Sequence, residues 1–309
     1  MKMPSLDMSM TKNADFYKLV YREKRPQKVA DFLLTKGFSK RSLINCRHRG
    51  GNVLVNHRRR YNNYLLHDGD EVIFILGKEK PNATLKFSNL PIAIVQETAN
   101  YLIVNKEADL LTIPSKNEDN DSVVGRLLHY LNPDALLKIK PHIITRLDRD
   151  TSGLVLVGKN AVAHARFNVS DKQRTIKKYH AIVHGNFSPS QLQGVIDAPI
   201  GKKDDPIKRY IMEGGKNSVT KYRVIKQVAG ASLVELQLLT GRTHQIRVHM
   251  QYLGHPLFGD HLYGVEDDFP RQALHCFLLA FDDPLEHKRI EVQIADPADM
   301  LQLWQKLSK

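Results

Sequence analysis

Nine consecutive residues, Thr145, Arg146, Leu147, Asp148, Arg149, Asp150, Thr151, Ser152 and Gly153, bring two carboxylates, two guanidiniums and three hydroxyls together. They lead directly into the apolar run Leu154, Val155, Leu156 and Val157. A charged loop is thereby tied to a buried strand. Two chemistries fit such a run. It can be a salt-bridged turn in which Asp148 or Asp150 caps backbone amides while the arginines neutralise it. It can also present a carboxylate that acts as nucleophile or base, or that stabilises positive charge developing on a substrate.

A second reactive segment is Gly241, Arg242, Thr243, His244, Gln245, Ile246, Arg247, Val248 and His249. Its spacing predicts a helix over residues 243–253 with Ile246, Met250 and Leu253 on the apolar face, and Arg247 and Gln251 about a turn apart on another. Arg242, just ahead of that helix, is then free to reach into a cleft. Five histidines lie between His244 and His275, but none forms a His-x-x-x-His pair and no carboxylate or cysteine stands at ligand spacing, so no metal is expected. Cys46 and Cys276 stand alone and far apart, which argues against a disulfide framework and for a reducing compartment.

The elements that must carry these segments are short strands near residues 101–104, 154–157, 179–184, 219–225 and 233–239, with helices near 123–131 and 161–168. In the last strand Val234, Leu236 and Leu238 alternate with Glu235 and Gln237, the pattern of a half-buried antiparallel strand. The expected fold is therefore α+β, a mixed and mainly antiparallel sheet with flanking helices over residues 90–309. The polar segments 115–121 and 201–216 read as loops able to close on a large ligand.

Ahead of this lies a different region. A helix with Val29, Phe32, Leu33 and Leu34, a turn at Gly37, a second helix N-capped by Ser39, a strand Val53 to Asn56 and another over 71–76 predict a small α/β domain within residues 1–77, its core at about 28–76. Residues 78–89 read as a linker. Of the +13 formal charge, +9 falls in residues 1–80, where 17 Lys and Arg face 8 Asp and Glu. Lys40, Arg41, Arg47, Arg49, Arg58, Arg59 and Arg60 cluster around one helix and the following turn, as a polyanion-binding surface would. No apolar run approaches the ~20 residues of a membrane span, and residues 1–12 lack the apolar stretch of a secretion signal, so a cytoplasmic protein is expected.

The run from Arg146 to Gly153 resembles the H-R-L-D-x-x-T-S-G motif of the RluA-type RNA pseudouridine synthases. Lys178-Tyr179-His180-Ala181-Ile182-Val183 and the Gly241 to His249 segment resemble two further motifs of that family, as do the runs at residues 254–260 and 271–275. The basic region resembles the alpha-L RNA-binding module first known from a small-subunit ribosomal protein, through Val53-Leu54-Val55-Asn56 and Gly69-Asp70-Glu71-Val72. Three positions depart from the patterns: Thr145 replaces a His, Glu107 a Pro, and His57 a Gly.

The resemblance implies an isomerase that detaches uracil from ribose within RNA and reattaches it through carbon, without cofactor or metal. It implies Asp148 as the catalytic carboxylate and Tyr179 as the ring stacked on the uracil. It also implies Arg242 as the cation paired with Asp148, and Arg146, Leu147 and Ile246 as supporting residues. The substrate expected is large-subunit ribosomal RNA, with transfer RNA the alternative, bound by a monomer. Two other classes compete. A non-catalytic RNA-binding or ribosome-assembly factor leaves Asp148, Tyr179 and Arg242 without a reason to occur together. A glycoside hydrolase needs a second carboxylate, for which Asp150 is a weak candidate.

Overall fold

A computed structural model describes residues 16–79, 86–114, 121–132, 139–169, 175–284, 286 and 288–309. The basic region comprises β1 (Phe16–Val20), β2 (Gln27–Lys28), α1 (Val29–Thr35), α2 (Lys40–His48), β3 (Asn52–Val55), β4 (Arg58–Arg59), β5 (Leu65–Leu66) and β6 (Glu71–Ile75). Its main sheet has the order β1-β6-β3-β4, and β2 pairs with β5. Ser39 caps α2 as its type predicts, its Oγ accepting from the Ser42 amide at 3.0 Å. The His57 departure is accommodated by backbone conformation. Asn56 and His57 both take positive φ, 48° and 63°, forming a two-residue turn between β3 and β4. Glycine is the usual solution at such a position because it carries no Cβ penalty there.

The rest of the chain supplies β7 (Ala93–Glu97), β8 (Tyr101–Lys106), α3 (Val123–Leu131), β9 (His142–Ile143), β10 (Ser152–Gly158), α4 (Ala161–Val169), β11 (Ile176–His184), β12 (Gln193–Asp197), β13 (Ile200–Gly201), β14 (Tyr210–Ile211), β15 (Val219–Val228), β16 (Ala231–Leu238), α5 (Gln245–Tyr252), β17 (Leu274–Asp282), β18 (Arg289–Gln293) and α6 (Ala298–Leu307). The large sheet runs β12-β15-β16-β11-β17-β10-β8-β7, with β18 added to β17 and β9 to β10. Its pairings are antiparallel except β10 with β17, which run parallel over Ser152–His275 and Gly153–Cys276. The fold is α+β, with a mainly antiparallel sheet.

Strand β10 is buried along its whole length, which explains its unbroken apolar sequence. Leu154 and Leu156 join Tyr101, Ile103, Tyr179, Ile246 and Met250 in the principal core, while Val155 and Val157 join Leu102, Val104, Val123 and Leu127 beneath α3. The sheet thus has apolar layers on both faces, and the loop 145–151 enters it at its centre.

One expectation about a connecting segment needs correction. Residues 201–216 do not form an open loop, because β13 and β14 pair into a small hairpin with Ile200 and Tyr263 in its own apolar cluster. The described start of the expected linker is anchored. Glu79 meets His142 Nε2 at 2.8 Å and accepts from the Ala161 amide at 3.0 Å. The basic region is seated on its neighbour as well, since Val162 and Ala163 of α4 lie in the same core as Phe38, Phe74 and Leu19. The Tyr17 hydroxyl lies 3.0 Å from the side-chain oxygens of both Asn100 and Asn160. The expected polar segment at 115–121 lies outside the described residues apart from Asp121.

Candidate active site

The loop ahead of β10 is fixed from below. Lys106, the last residue of β8, is fully buried, and its ammonium donates to the carbonyls of Glu107 (2.8 Å), Leu110 (2.7 Å) and Arg149 (2.6 Å). An ammonium has three protons, and all three are used. Thr112 clamps Leu147 in both directions, its hydroxyl donating to the Leu147 carbonyl at 2.8 Å and accepting from its amide at 3.2 Å. Thr145 closes the turn onto β10, accepting from the Leu156 amide at 2.9 Å. A threonine where the family motif has histidine therefore performs a backbone task here. Glu107 keeps its carbonyl for Lys106 and places its carboxylate 2.6 Å from Arg126.

From the far side, Arg271 donates to the carbonyl of Asp150 at 3.2 Å and is held at Asp299 by Nε (2.7 Å) and Nη2 (3.0 Å). Gly153 has φ +117°, and a Cβ there would lie 2.3 Å from the Cys276 carbonyl oxygen. Only glycine lets β10 and β17 approach at the crossing that follows the loop. Tyr179 pairs with Cys276 across β11 and β17, so Gly153, Cys276 and Tyr179 form one row across the sheet.

Asp148 sits at the head of this loop, its side chain 29% exposed, with Oδ2 3.7 Å from Nη1 of Arg247. The cation beside Asp148 is thus Arg247 and not Arg242. Arg242 is exposed and donates from Nε to the carbonyl of Asn217 at 2.9 Å, and no ion pair joins it to Asp148. The physical reason is the start of α5. His244 takes a left-handed φ of 57°, the helix begins only at Gln245, and Arg247 then points inward. Its Nε and Nη2 donate to the two oxygens of Asp260 at 2.7 and 2.6 Å, a fork-to-carboxylate contact within the protein. The side chains are 6% and 0% exposed. Asp260 also accepts from the amides of Leu262 and Tyr263. Asp260 was within a recognisable run at residues 254–260, but nothing in the sequence paired it with Arg247.

Tyr179 is buried, and burial above all pushes its phenol well above the usual range, with Cys276 and the negative charge of Asp148 adding to the effect. It stays protonated. Leu147 and Ile246 pack against the principal core, so they shape the floor of the site. Arg146 is exposed at its mouth, as is Arg149, which binds Asp150 at 3.0 Å. On the other rim His244 Nδ1 lies 3.0 Å from the Tyr263 hydroxyl, which accepts from the Arg209 amide at 2.7 Å. Burial in the first place lowers the His244 pKa, in keeping with a neutral ring.

A family model described as RNA pseudouridylate synthase matches residues 100–252. An uncharacterized RNA pseudouridine synthase of Bacillus subtilis (strain 168), YjbO, is 38% identical over 279 residues, covering 89% of this chain and 97% of the relative. The chain belongs to the RluA-type RNA pseudouridine synthases. The ribosomal large subunit pseudouridine synthase D of Vibrio cholerae serotype O1 is 35% identical to this pseudouridine synthase, with 76% of each chain covered. The solved structure of human RNA pseudouridylate synthase domain containing 1 superimposes with a TM-score of 0.56 at 29% identity, covering 74% of this chain and 97% of that one. The enzyme is therefore an isomerase acting on RNA.

One residue of this synthase ties the site to pH. His275 is buried with Nδ1 2.8 Å from the Ser152 hydroxyl, and burial foremost lowers its pKa to about 4. In the unfolded chain a histidine takes up its proton near the ordinary value of 6.5. Between these values the unfolded form binds more protons than the folded one, so this contribution to stability is lost as pH falls from 6.5 toward 4. The expected loss is up to about 3 kcal/mol. Urea unfolding of His275→Gln should show a flatter dependence across that window than the unsubstituted enzyme. Equal slopes would mean that His275 does not titrate differently on folding.

Proposed function

We propose that this synthase converts uridine to pseudouridine in large-subunit ribosomal RNA, with Asp148 as the catalytic carboxylate. The observation that carries the catalytic assignment is the placement of Asp148 beside a buried Arg247 that already has Asp260 as its principal partner. Asp148 faces a cation without being locked into a close pair with it, which leaves its carboxylate free to act at C1′ or the uracil ring. Tyr179 is read as the ring that meets the uracil, with Leu147 and Ile246 beneath. Arg146 is exposed beside Asp148 in sequence and is read as a residue that supports a base turned out of its stack, an extrusion that costs a few kcal/mol.

The basic region is read as the RNA grip. Lys40, Arg41, Arg47, Arg58 and Arg59 are exposed and Arg49 partly so, all without an ion-pair partner among the described residues. Arg60 instead lies over the Tyr64 ring at 4.6 Å, and Arg47 is 5.9 Å from the centroid of Tyr61, which is 63% exposed. Unpaired guanidiniums next to an exposed aromatic ring suit a phosphate backbone with unstacked bases. The enzyme is read as a monomer. No described helix is long and apolar enough to cross a membrane, and the proposed compartment is the cytoplasm, where ribosomal RNA is found.

The ribosomal target is supported by the name of the Vibrio cholerae relative. Mapping pseudouridine in total RNA from cells with and without the gene tests it. The expected result is the loss of one or more sites in large-subunit ribosomal RNA, restored by the intact gene. Loss confined to transfer RNA would overturn the target.

A further inference from the structure

The cations around the reactive centre are almost all committed to protein partners. Lys106 is spent on three carbonyls, Arg247 on Asp260, Arg271 on Asp299 and Arg149 on Asp150. Lys177 differs. It is only partly exposed, and among the described residues its ammonium has no hydrogen-bond or ion-pair partner. Along β11 it precedes Tyr179 by two positions, so both side chains project from the same face of the strand. Lys178, between them, projects from the opposite face and meets Glu235 at 3.3 Å. The Lys177 Nζ reaches the turn leading to α5, lying 3.8 Å from the point where a Cβ on Gly241 would stand. The charged and titratable groups acting on it are Cys276, Asp148 and Arg146, drawn from β17 and the catalytic loop. An unpaired ammonium is thus held on the Tyr179 side of β11 beside the start of the α5 turn, where it feels the charge of the Asp148 loop.

We propose that Lys177 is a catalytic residue that donates a hydrogen bond to a carbonyl oxygen of the uracil while that ring is detached from ribose. This rests on the reading that Asp148 acts at the same nucleotide. When the N1–C1′ bond breaks, its electron pair leaves with the uracil, whose negative charge is shared by N1 and the neighbouring carbonyl oxygens. C1′ is either captured by the Asp148 carboxylate or left as an oxocarbenium ion beside it. C5 then supplies the pair for the new bond to C1′, C5 loses its proton, and N1 ends protonated. No oxidant or reductant is consumed. Lys177 keeps its proton throughout, and its role is to stabilise charge that exists only between the two bond changes.

The test uses RNA from cells lacking the gene, whose target uridines are unmodified, in single-turnover assays of the full chain. Lys177→Met and Lys177→Gln should lose about 100-fold in rate at saturating RNA while Kd changes by less than about 3-fold, the division expected when a transition-state donor is removed. Lys177→Arg should retain most of the rate. The pH profile separates a catalytic from a structural role. Burial foremost lowers the Lys177 pKa, so the wild-type rate should fall with rising pH below the ordinary lysine range as the ammonium is lost. That fall should be absent in Lys177→Arg, because the guanidinium stays protonated.

A Lys177→Met enzyme with an unchanged rate overturns the inference, and so does a variant whose defect lies entirely in Kd. Asp148→Asn assayed in parallel keeps the two readings apart. If it is inactive while Lys177→Met is fully active, only the lysine assignment fails. If it is active, the Asp148 reading fails, and Lys177 is still judged by its own rate.

Discussion

Asp148→Asn is expected to leave a folded protein that binds RNA as before and forms no pseudouridine. The substitution preserves volume and removes one negative charge. The contact it weakens is the 3.7 Å approach to Arg247, on a side chain that is 29% exposed. An ion pair of that length and exposure contributes about 1 kcal/mol or less to stability. Arg247 keeps both hydrogen bonds to Asp260, so no buried cation is orphaned. The loop itself is held by Lys106, Thr112 and Arg271 through backbone carbonyls and amides that the substitution does not touch. Activity should nevertheless fall by about 10,000-fold or more, the scale on which losing a member of a catalytic set acts. The measurement is pseudouridine formed per enzyme in a single turnover, with circular dichroism and RNA titration as controls. Conversion at a comparable rate by the purified variant would remove Asp148 from the chemistry.

Arg247→Met should produce the largest combined loss of stability and activity. Removing one partner of a buried pair typically costs about 3–5 kcal/mol, because the remaining charge is left uncompensated. Here the remaining charge is Asp260, fully buried, with the Leu262 and Tyr263 amides as its only other partners among the described residues. Catalysis should fall as well, since Asp148 loses the cation beside it and α5 loses its tether to the 260 turn. A cycle of Arg247→Met, Asp260→Asn and the double variant, read by denaturant unfolding, should show strong non-additivity. A second cycle with Asp148→Asn should show weaker coupling, because 3.7 Å and partial exposure make the interaction smaller than the contacts at 2.6 and 2.7 Å. Arg242→Met, by contrast, removes one hydrogen bond from an exposed side chain to the Asn217 carbonyl and should cost about 1 kcal/mol. Additivity in the first cycle would mean that the Arg247–Asp260 contact is not energetically real.

The sequence was sufficient for the buried strand that follows the charged run 145–153. An unbroken apolar run after a charged segment predicts a strand buried on both faces with its reactive residues at one end, and β10 follows that pattern. Alternation in β16 was equally readable, with Val234 and Leu236 buried and Glu235 and Gln237 partly exposed. The Ser39 cap of α2 was legible because a cap is a local hydrogen bond between residues three apart. Strands β7, β12, β17 and β18 were not anticipated, since their definition depends on neighbours distant in sequence.

Which arginine serves Asp148 was decided only by tertiary structure. Helical periodicity orders side chains around an axis but does not say what each face meets. It also does not reveal that the helix starts two residues late, after a left-handed His244. Those two facts turn Arg247 toward Asp148 and Asp260 and leave Arg242 in solvent. The same limit hid Lys106, whose burial depends on carbonyls from two separate loops, and the seating of the basic region on α4 through Val162 and Ala163. Residue type and short-range spacing determine which groups are chemically able; the long-range packing of the sheet determines which of them stand together and which are already spent on one another.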